Sequence, residues 1–265
     1  MSYAEINGLS LYYEEHGPEA GGLLLLLHGG FGSGESFAPL LPDLARHRRV
    51  VTVDLQGHGR TADIDRPLRA ALMADDVAAL VGHLGRARAD VLGYSMGAKV
   101  ALRTAVQHPG VVGRVVLVSA VARRDGWFPE VLAGMDAMSE DAAAPMKQTP
   151  LYELYERVAP RPQDWPALVR KTAEMLQESY DWTQEVAAVT APVLLVYADC
   201  DSVRPAHMAE FFGLLGGGLR DAVWDGSGRT TQSRLAVLPG TSHYDIMASP
   251  GLSPAVLRFL DEAKG

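Results

Sequence analysis

A serine between two glycines, Gly93-Tyr94-Ser95-Met96-Gly97, is the stretch of this 265-residue chain best suited to chemistry. It lies where a predicted strand runs directly into a predicted helix. A serine there occupies a sharp turn that lifts its hydroxyl clear of the backbone, and its flanks must be very small because strand and helix press on them. The helix that follows aims its N-terminal N–H groups at the hydroxyl and favours negative charge developing there. Read alone, the pentapeptide also suits a helix N-cap. The buried lead-in Asp90-Val91-Leu92 and the helix behind it favour a nucleophile.

A hydroxyl is a poor nucleophile near neutral pH and needs a base. Histidine fits, because an ordinary pKa of about 6.5 lets it take a proton and return it. Of the eight histidines, His243 is best placed, just beyond the last predicted strand and a Pro239-Gly240 turn. A carboxylate must then fix the imidazole tautomer and stabilise the imidazolium. Asp199 and Asp201, two apart after the strand Val193–Tyr197, are both candidates. Cys200 between them reads as a small buried residue rather than a second nucleophile. His28 reads as turning into its own loop to satisfy backbone groups, and His58 as bracing the loop after the fourth strand. His16, His47, His83, His108 and His207 read as surface or helix-end residues. None shows a metal spacing such as His-Glu-x-x-His, so no metal site is expected.

The elements that must position these residues alternate. Ala4–Ile6 and Leu9–Glu14 flank Asn7-Gly8, a strong hairpin signal. Leu23–Leu27 is a continuous apolar run of the kind found in a parallel sheet covered on both faces. Further strands are expected at Arg49–Leu55, Asp90–Tyr94, Val115–Ser119, Pro192–Asp199 and Arg234–Pro239. Helices are expected at Ser36–Leu44, Arg69–Leu84, Met96–His108, Pro205–Leu215 and Pro254–Glu262. That rhythm predicts an α/β domain with a mostly parallel sheet. It breaks between Val121 and about Val186, where prolines punctuate helical segments and no strand is convincing. Gly216-Gly217-Gly218 and Asp225-Gly226-Ser227-Gly228 mark a long surface excursion before the last strand.

Composition narrows the function. A net charge of −8, from 24 basic and 32 acidic residues, leaves no basic footprint for nucleic acid or an anionic membrane. One cysteine allows no internal disulfide and no cysteine-based metal site. No secretory signal opens the sequence, and no apolar run is long enough to span a bilayer, so a cytoplasmic location is expected.

Five landmarks, each at the C-terminal end of a predicted strand, carry a resemblance to the α/β-hydrolase family. They are His28-Gly29-Gly30-Phe31-Gly32, Asp54-Leu55-Gln56-Gly57-His58-Gly59-Arg60-Thr61, the Ser95 pentapeptide, Ala198-Asp199-Cys200-Asp201, and Pro239-Gly240-Thr241-Ser242-His243. The resemblance implies an eight-stranded sheet with helices on both faces and a helical cap, residues 121–186, inserted after the sixth strand. Residues 1–120 and 187–265 would form the core. The order Ser…Asp…His matches the fold's triad order, and the family's second acid in its short motif implies Asp201 as the partner of His243, with Asp199 anchoring the loop. The implied oxyanion hole uses the Met96 amide and one from Gly30 or Phe31.

The implied activity is hydrolysis of carboxylic esters of small, largely apolar molecules, with no cofactor or metal. Phe31, Tyr94, Trp127, Tyr152 and Tyr155 are expected to touch the substrate. Arg123-Arg124 reads as solvent-exposed, so no strongly anionic substrate is expected. Relatives of this kind also include carbon–carbon hydrolases, lactonases and perhydrolases, and small-molecule receptors of the same fold form a different class. Serine at position 95 disfavours the dehalogenase and epoxide-hydrolase branches, which carry aspartate there. The aminopeptidase branch usually reads Gly-Gly-Pro-Gly where this chain has Gly29-Gly30-Phe31-Gly32. Oligomeric state, monomer or dimer, is left open.

Overall fold

The computed structural model describes residues 2–262. Asn7 and Gly8 both adopt positive φ, 49° and 83°, which closes the hairpin between β1 (Ser2–Ile6) and β2 (Leu9–His16). The remaining strands are β3 (Leu23–Leu27), β4 (Arg49–Val53), β5 (Ala89–Tyr94), β6 (Val112–Val118), β7 (Val193–Cys200) and β8 (Arg234–Ser242). They form one sheet in the order β1-β2-β4-β3-β5-β6-β7-β8, antiparallel from β1 to β4 through β2 and parallel thereafter.

Helices fill the intervals. α1 (Leu41–Leu44) lies between β3 and β4, α2 (Ala70–His83) between β4 and β5, and α3 (Met96–Gln107) between β5 and β6. Between β6 and β7 run α4 (Pro129–Ala137), α5 (Ala143–Met146), α6 (Pro150–Val158), α7 (Trp165–Gln177) and α8 (Thr183–Ala187). α9 (Pro205–Leu214) precedes β8, and α10 (Leu252–Asp261) follows it.

Strand side chains alternate between faces, and the two faces feed two separate cores. Leu23, Leu25, Leu27, Leu117 and Leu195 pack with Val77, Leu80 and Val100 of α2 and α3. Leu24, Leu26, Val116 and Val196 pack on the other side with Leu44, Val256 and Phe259 of α1 and α10. An uninterrupted apolar strand is thus a strand covered twice.

Three local departures from the sequence reading have physical causes. The helix expected over Ser36–Leu44 is split into a 3-10 turn, Gly34–Phe37, and α1, because Pro39 and Pro42 lack the N–H a continuous helix needs. β8 continues through Pro239-Gly240 with a register shift instead of turning there, which an edge strand tolerates. His207 is buried rather than at the surface, since its Nε2 accepts the Ala122 amide at 3.0 Å and ties α9 to the start of the long helical stretch. Among the described residues, no helix is long and apolar enough to cross a membrane.

The chain leaves β3 towards β4 on one side and leaves β5 towards β6 on the other. Such a switch point opens a crevice at the C-terminal strand ends, where the loops diverge. Two histidines hold the floor of that region. His28 donates from Nδ1 to the Gly29 carbonyl at 2.7 Å and accepts the Leu55 amide at Nε2, 3.0 Å away. His58 bonds the Gln56 carbonyl at 2.9 Å. Burial lowers His28 to about 4, and burial together with the neighbouring His28 lowers His58 to about 3. Both rings are neutral when folded, whereas the unfolded chain protonates them near 6.5. Stability from this source is complete above about pH 6.5 and drains as pH falls towards 4, by roughly 3 kcal/mol for His28. Urea midpoints should therefore fall between pH 7 and 4.5, and His58→Gln should flatten the decline; parallel slopes for the two proteins would contradict this account.

Candidate active site

Ser95 stands at the junction of β5 and α3 with φ 52° and ψ −113°, a conformation side-chain-bearing residues rarely adopt. The strain is enforced by close packing on either side. A Cβ on Gly93 would overlap the Gly97 carbonyl, and one on Gly97 would overlap the Leu27 carbonyl of β3. The N-terminus of α3 therefore rests directly on the sheet. Ser95 is pinned from below by its amide, which donates to the Val118 carbonyl at 2.9 Å.

His243 follows β8 and brings Nε2 to 3.1 Å from Ser95 Oγ. Its Nδ1 lies 3.0 Å from Asp201 Oδ1. A carboxylate only accepts, so Nδ1 carries the proton and Nε2 is left as an acceptor facing the hydroxyl. Burial pushes the Asp201 carboxyl up, but bonds from His243, Ser119 and the Ala198 amide outweigh it and hold the group below the usual carboxylate range. Ser119 is fully buried, at φ 57°, and its hydroxyl donates to Asp201 Oδ2 at 2.6 Å. No motif flagged Ser119, though it is the first residue beyond β6. Asp199 has the anchoring part, accepting the Gly240 and Thr241 amides at 2.9 and 3.2 Å and so bracing the end of β8. Cys200 is exposed, contrary to the buried position expected of it.

Tyr94 donates its hydroxyl to the His243 carbonyl at 2.7 Å, fixing the backbone that carries the ring. The indole of Trp127 meets that ring edge-on at 5.6 Å. The loop after β3 is held from the far side: Asp54 accepts the Gly34 and Arg60 amides at 2.6 and 2.8 Å, welding it to the loop after β4. Phe31 is held at φ 59°, and the amides of Gly30 and Phe31 donate to no acceptor among the described residues. The Met96 amide is the first of α3, where no intrahelical acceptor exists. All three residues face the same space.

That space is a cavity of about 910 Å³, within the range of small-molecule sites. Ser95 and His243 line it together with Phe31, Tyr94, Trp127 and several methionines. The aromatic and methionine residues between β6 and β7 divide unevenly. Trp127, Met135 and Met138 reach the cavity, but Tyr152 and Tyr155 do not. These two expected contacts pack instead on the buried Trp165, each ring 5.2 Å from it, because an indole of that size needs a closed aromatic nest. Arg124 is likewise not a solvent residue: it lines the cavity and is anchored to Asp136 and the Leu176 carbonyl. Lys99, unremarked in the sequence, lines it too. Its signal was the i, i+4 spacing from Ser95 on one helix. Among the described residues no group of three or more His, Cys, Asp or Glu could hold a metal ion.

Comparison with known proteins agrees with this architecture. Residues 22–147 match the family model described as alpha/beta hydrolase fold. The pimeloyl-[acyl-carrier protein] methyl ester esterase of Neisseria meningitidis serogroup B (strain H44/76) is 33% identical over 218 residues, 73% of this chain and 80% of that one. The chain belongs to the α/β-hydrolase family. The putative carbamate hydrolase RutD of Caulobacter sp. (strain K31) aligns with this α/β-hydrolase over 98% of both chains at 29% identity. The enol-lactonase of Burkholderia xenovorans LB400 has a TM-score of 0.71, covering 98% of this chain and 100% of its own. At 23% identity that likeness speaks for the fold alone.

One consequence of this α/β-hydrolase geometry is measurable without substrate. Ser119→Ala removes a charge-assisted donor from Asp201 and should raise the pH at which the carboxyl titrates. Carbon-13 NMR of the labelled aspartate side chain reads it, and an unmoved titration would mean Ser119 is mere packing.

Proposed function

We propose that this α/β-hydrolase is a serine hydrolase of carboxylic esters, with Ser95, His243 and Asp201 as its triad. The observation that carries the reading is the hydrogen-bonded chain from Ser95 Oγ through both ring nitrogens of His243 to Asp201, opening onto a largely apolar cavity. The methyl ester esterase among its relatives supports the same reaction class.

Ser95 Oγ attacks the ester carbonyl while Nε2 of His243 takes its proton. The charge that develops on the ring is balanced by ionised Asp201, whose own position depends on Ser119 and the Ala198 amide. The carbonyl oxygen becomes an oxyanion, stabilised by the Met96 amide and by the Gly30 or Phe31 amide. Each such donor contributes on the order of 3 kcal/mol in the transition state and is rigid beforehand. His243 then protonates the leaving alcohol, and a water deprotonated by the same nitrogen releases the acid. Residues 121–186 act as the cap, with Trp127, Met135 and Met138 shaping the acyl pocket alongside Phe31 and Tyr94. Flexible methionines let one pocket accept several shapes.

The test is covalent and kinetic. A fluorophosphonate probe should label Ser95 in the native protein, and Ser95→Ala should lose both the label and at least about 1000-fold of p-nitrophenyl butyrate turnover. Retained turnover in that variant, or labelling at another residue, would overturn the assignment.

A further inference from the structure

Lys99 is a charge placed where the reaction as described needs none. It stands one helical turn beyond Ser95 on the same face of α3, and its amide donates to the Ser95 carbonyl at 3.0 Å. Its side chain is only 12% exposed and lines the cavity, yet Nζ is not sealed from solvent. Tyr180 offers a ring face 4.0 Å from the ammonium and Trp182 another at 5.7 Å. A ring face attracts a cation but does not accept its N–H bonds as an oxygen does. The nearest carboxylate, Glu178, stands off at 3.9 Å and is held by Arg69 at 2.8 Å. Among the described residues none accepts a hydrogen bond from Nζ. Buried charges are normally both paired and hydrogen-bonded, so this one is only half provided for.

The surroundings favour an anion beside it. Arg124 adds a second cationic side chain to the cavity wall, 18% exposed and already paired with Asp136, so its part is secondary to that of Lys99. Against these two the lining includes one carboxylate, Glu130, which is exposed. Burial brings Lys99 down to about 8, with Glu178 pulling it up and Arg69 and Arg124 pushing it down, so the group remains an ammonium at neutral pH. Its backbone is fixed one helical turn from Ser95, so its four-carbon stem carries the ammonium from an anchor that does not move relative to the hydroxyl. A bound molecule could thus reach both with a short apolar spacer lying along Trp127, Met135 and Met138.

We propose that Lys99, supported by Arg124, is the recognition site for a carboxylate at the far end of the acyl group, making half-esters of aliphatic dicarboxylic acids the favoured substrate class. This rests on the ester-hydrolase reading above and goes beyond it. The substrate's acid group supplies the oxygen acceptors that Tyr180 and Glu178 do not. Lys99 specifies and orients; it takes no proton in the reaction.

The test pairs monomethyl adipate with dimethyl adipate, which has the same spacer and scissile bond but no charge. The native protein should favour the half-ester in kcat/KM by at least tenfold. Lys99→Met should reduce that ratio at least tenfold, mainly through the KM of the half-ester, and Lys99→Arg should restore part of it. A ratio near one in the native protein, or one unchanged by Lys99→Met, overturns the proposal. Calorimetry on Ser95→Ala separates the two readings. It should bind monomethyl adipate at least tenfold more tightly than the diester, and Lys99→Met added to it should erase the difference. Binding of this kind without turnover in the native protein would sink the hydrolase reading and leave the carboxylate site standing. Equal affinities would sink the site, whatever the turnover.

Discussion

Ser95 is held at a positive φ that its side chain disfavours, and the rest of the site depends on the packing that keeps it there. The constraint is steric: β5 and α3 meet at an angle so tight that only hydrogen fits at positions 93 and 97. Relaxing the turn would separate α3 from β3 and expose Leu27 and its neighbours, which the core keeps fully buried. Stability of the sheet thus sustains a local strain on the order of 1–3 kcal/mol. The return is a hydroxyl facing outward, with the first free amide of a helix directly beside it.

The other two members of the chain come from loops, and loops need bracing to hold a distance of about 3 Å. Here the work is divided between two aspartates with opposite surroundings. Exposed Asp199, at the end of β7, is tied to the end of β8 through the Gly240 and Thr241 amides, and those bonds lower its carboxyl pKa. Asp201, two residues on, turns inward and keeps its charge only because three donors outweigh its burial. Without Asp199 the histidine loop would lack its strap; without Ser119 the carboxylate would lack a donor. Tyr94 closes the loop of constraints, since the residue preceding Ser95 also grips the carbonyl of His243.

Much of this was legible because the responsible signals are local and redundant. Five leucines between turn signals read as a strand covered on both sides, and Gly93, Ser95 and Gly97 mark the elbow once a strand precedes and a helix follows them. The eight-strand sheet and Asp201 as the acid beside His243 are implied by the family resemblance that the landmarks at strand ends carry, since the residues alone leave Asp199 and Asp201 equally open. What escaped was set by tertiary neighbours. Tyr152 and Tyr155 carry the same aromatic signal as Trp127, but Trp165, far along the chain, claims them. His207 reads as a helix-end residue until the Ala122 amide arrives to need an acceptor. Arg124 reads as a surface charge and Lys99 draws no notice, because nothing in their immediate sequence says that Asp136, Leu176 and Tyr180 fold around them.

The position of Lys99 gives the site a property that a loop-borne cation would lack. Ser95 caps α3, and the Met96 amide and the Lys99 backbone belong to that helix, so under the proposed roles the three are anchored on one rigid element. Loop motion can vary the width of the cavity without moving the backbone anchor of the charge relative to Ser95. In a low-dielectric wall a fixed charge discriminates more sharply than the same charge in water, and an acyl group that leaves it unpaired carries a desolvation penalty. The same physics operates in opposite directions across the cavity floor. Burial leaves His28 and His58 neutral because it outweighs the backbone carbonyls of Gly29 and Gln56 that favour their charged forms, whereas Lys99 stays charged because Glu178 and the rings offset part of its burial. Selectivity under the proposed reading therefore comes from a buried charge that the protein itself leaves incompletely answered.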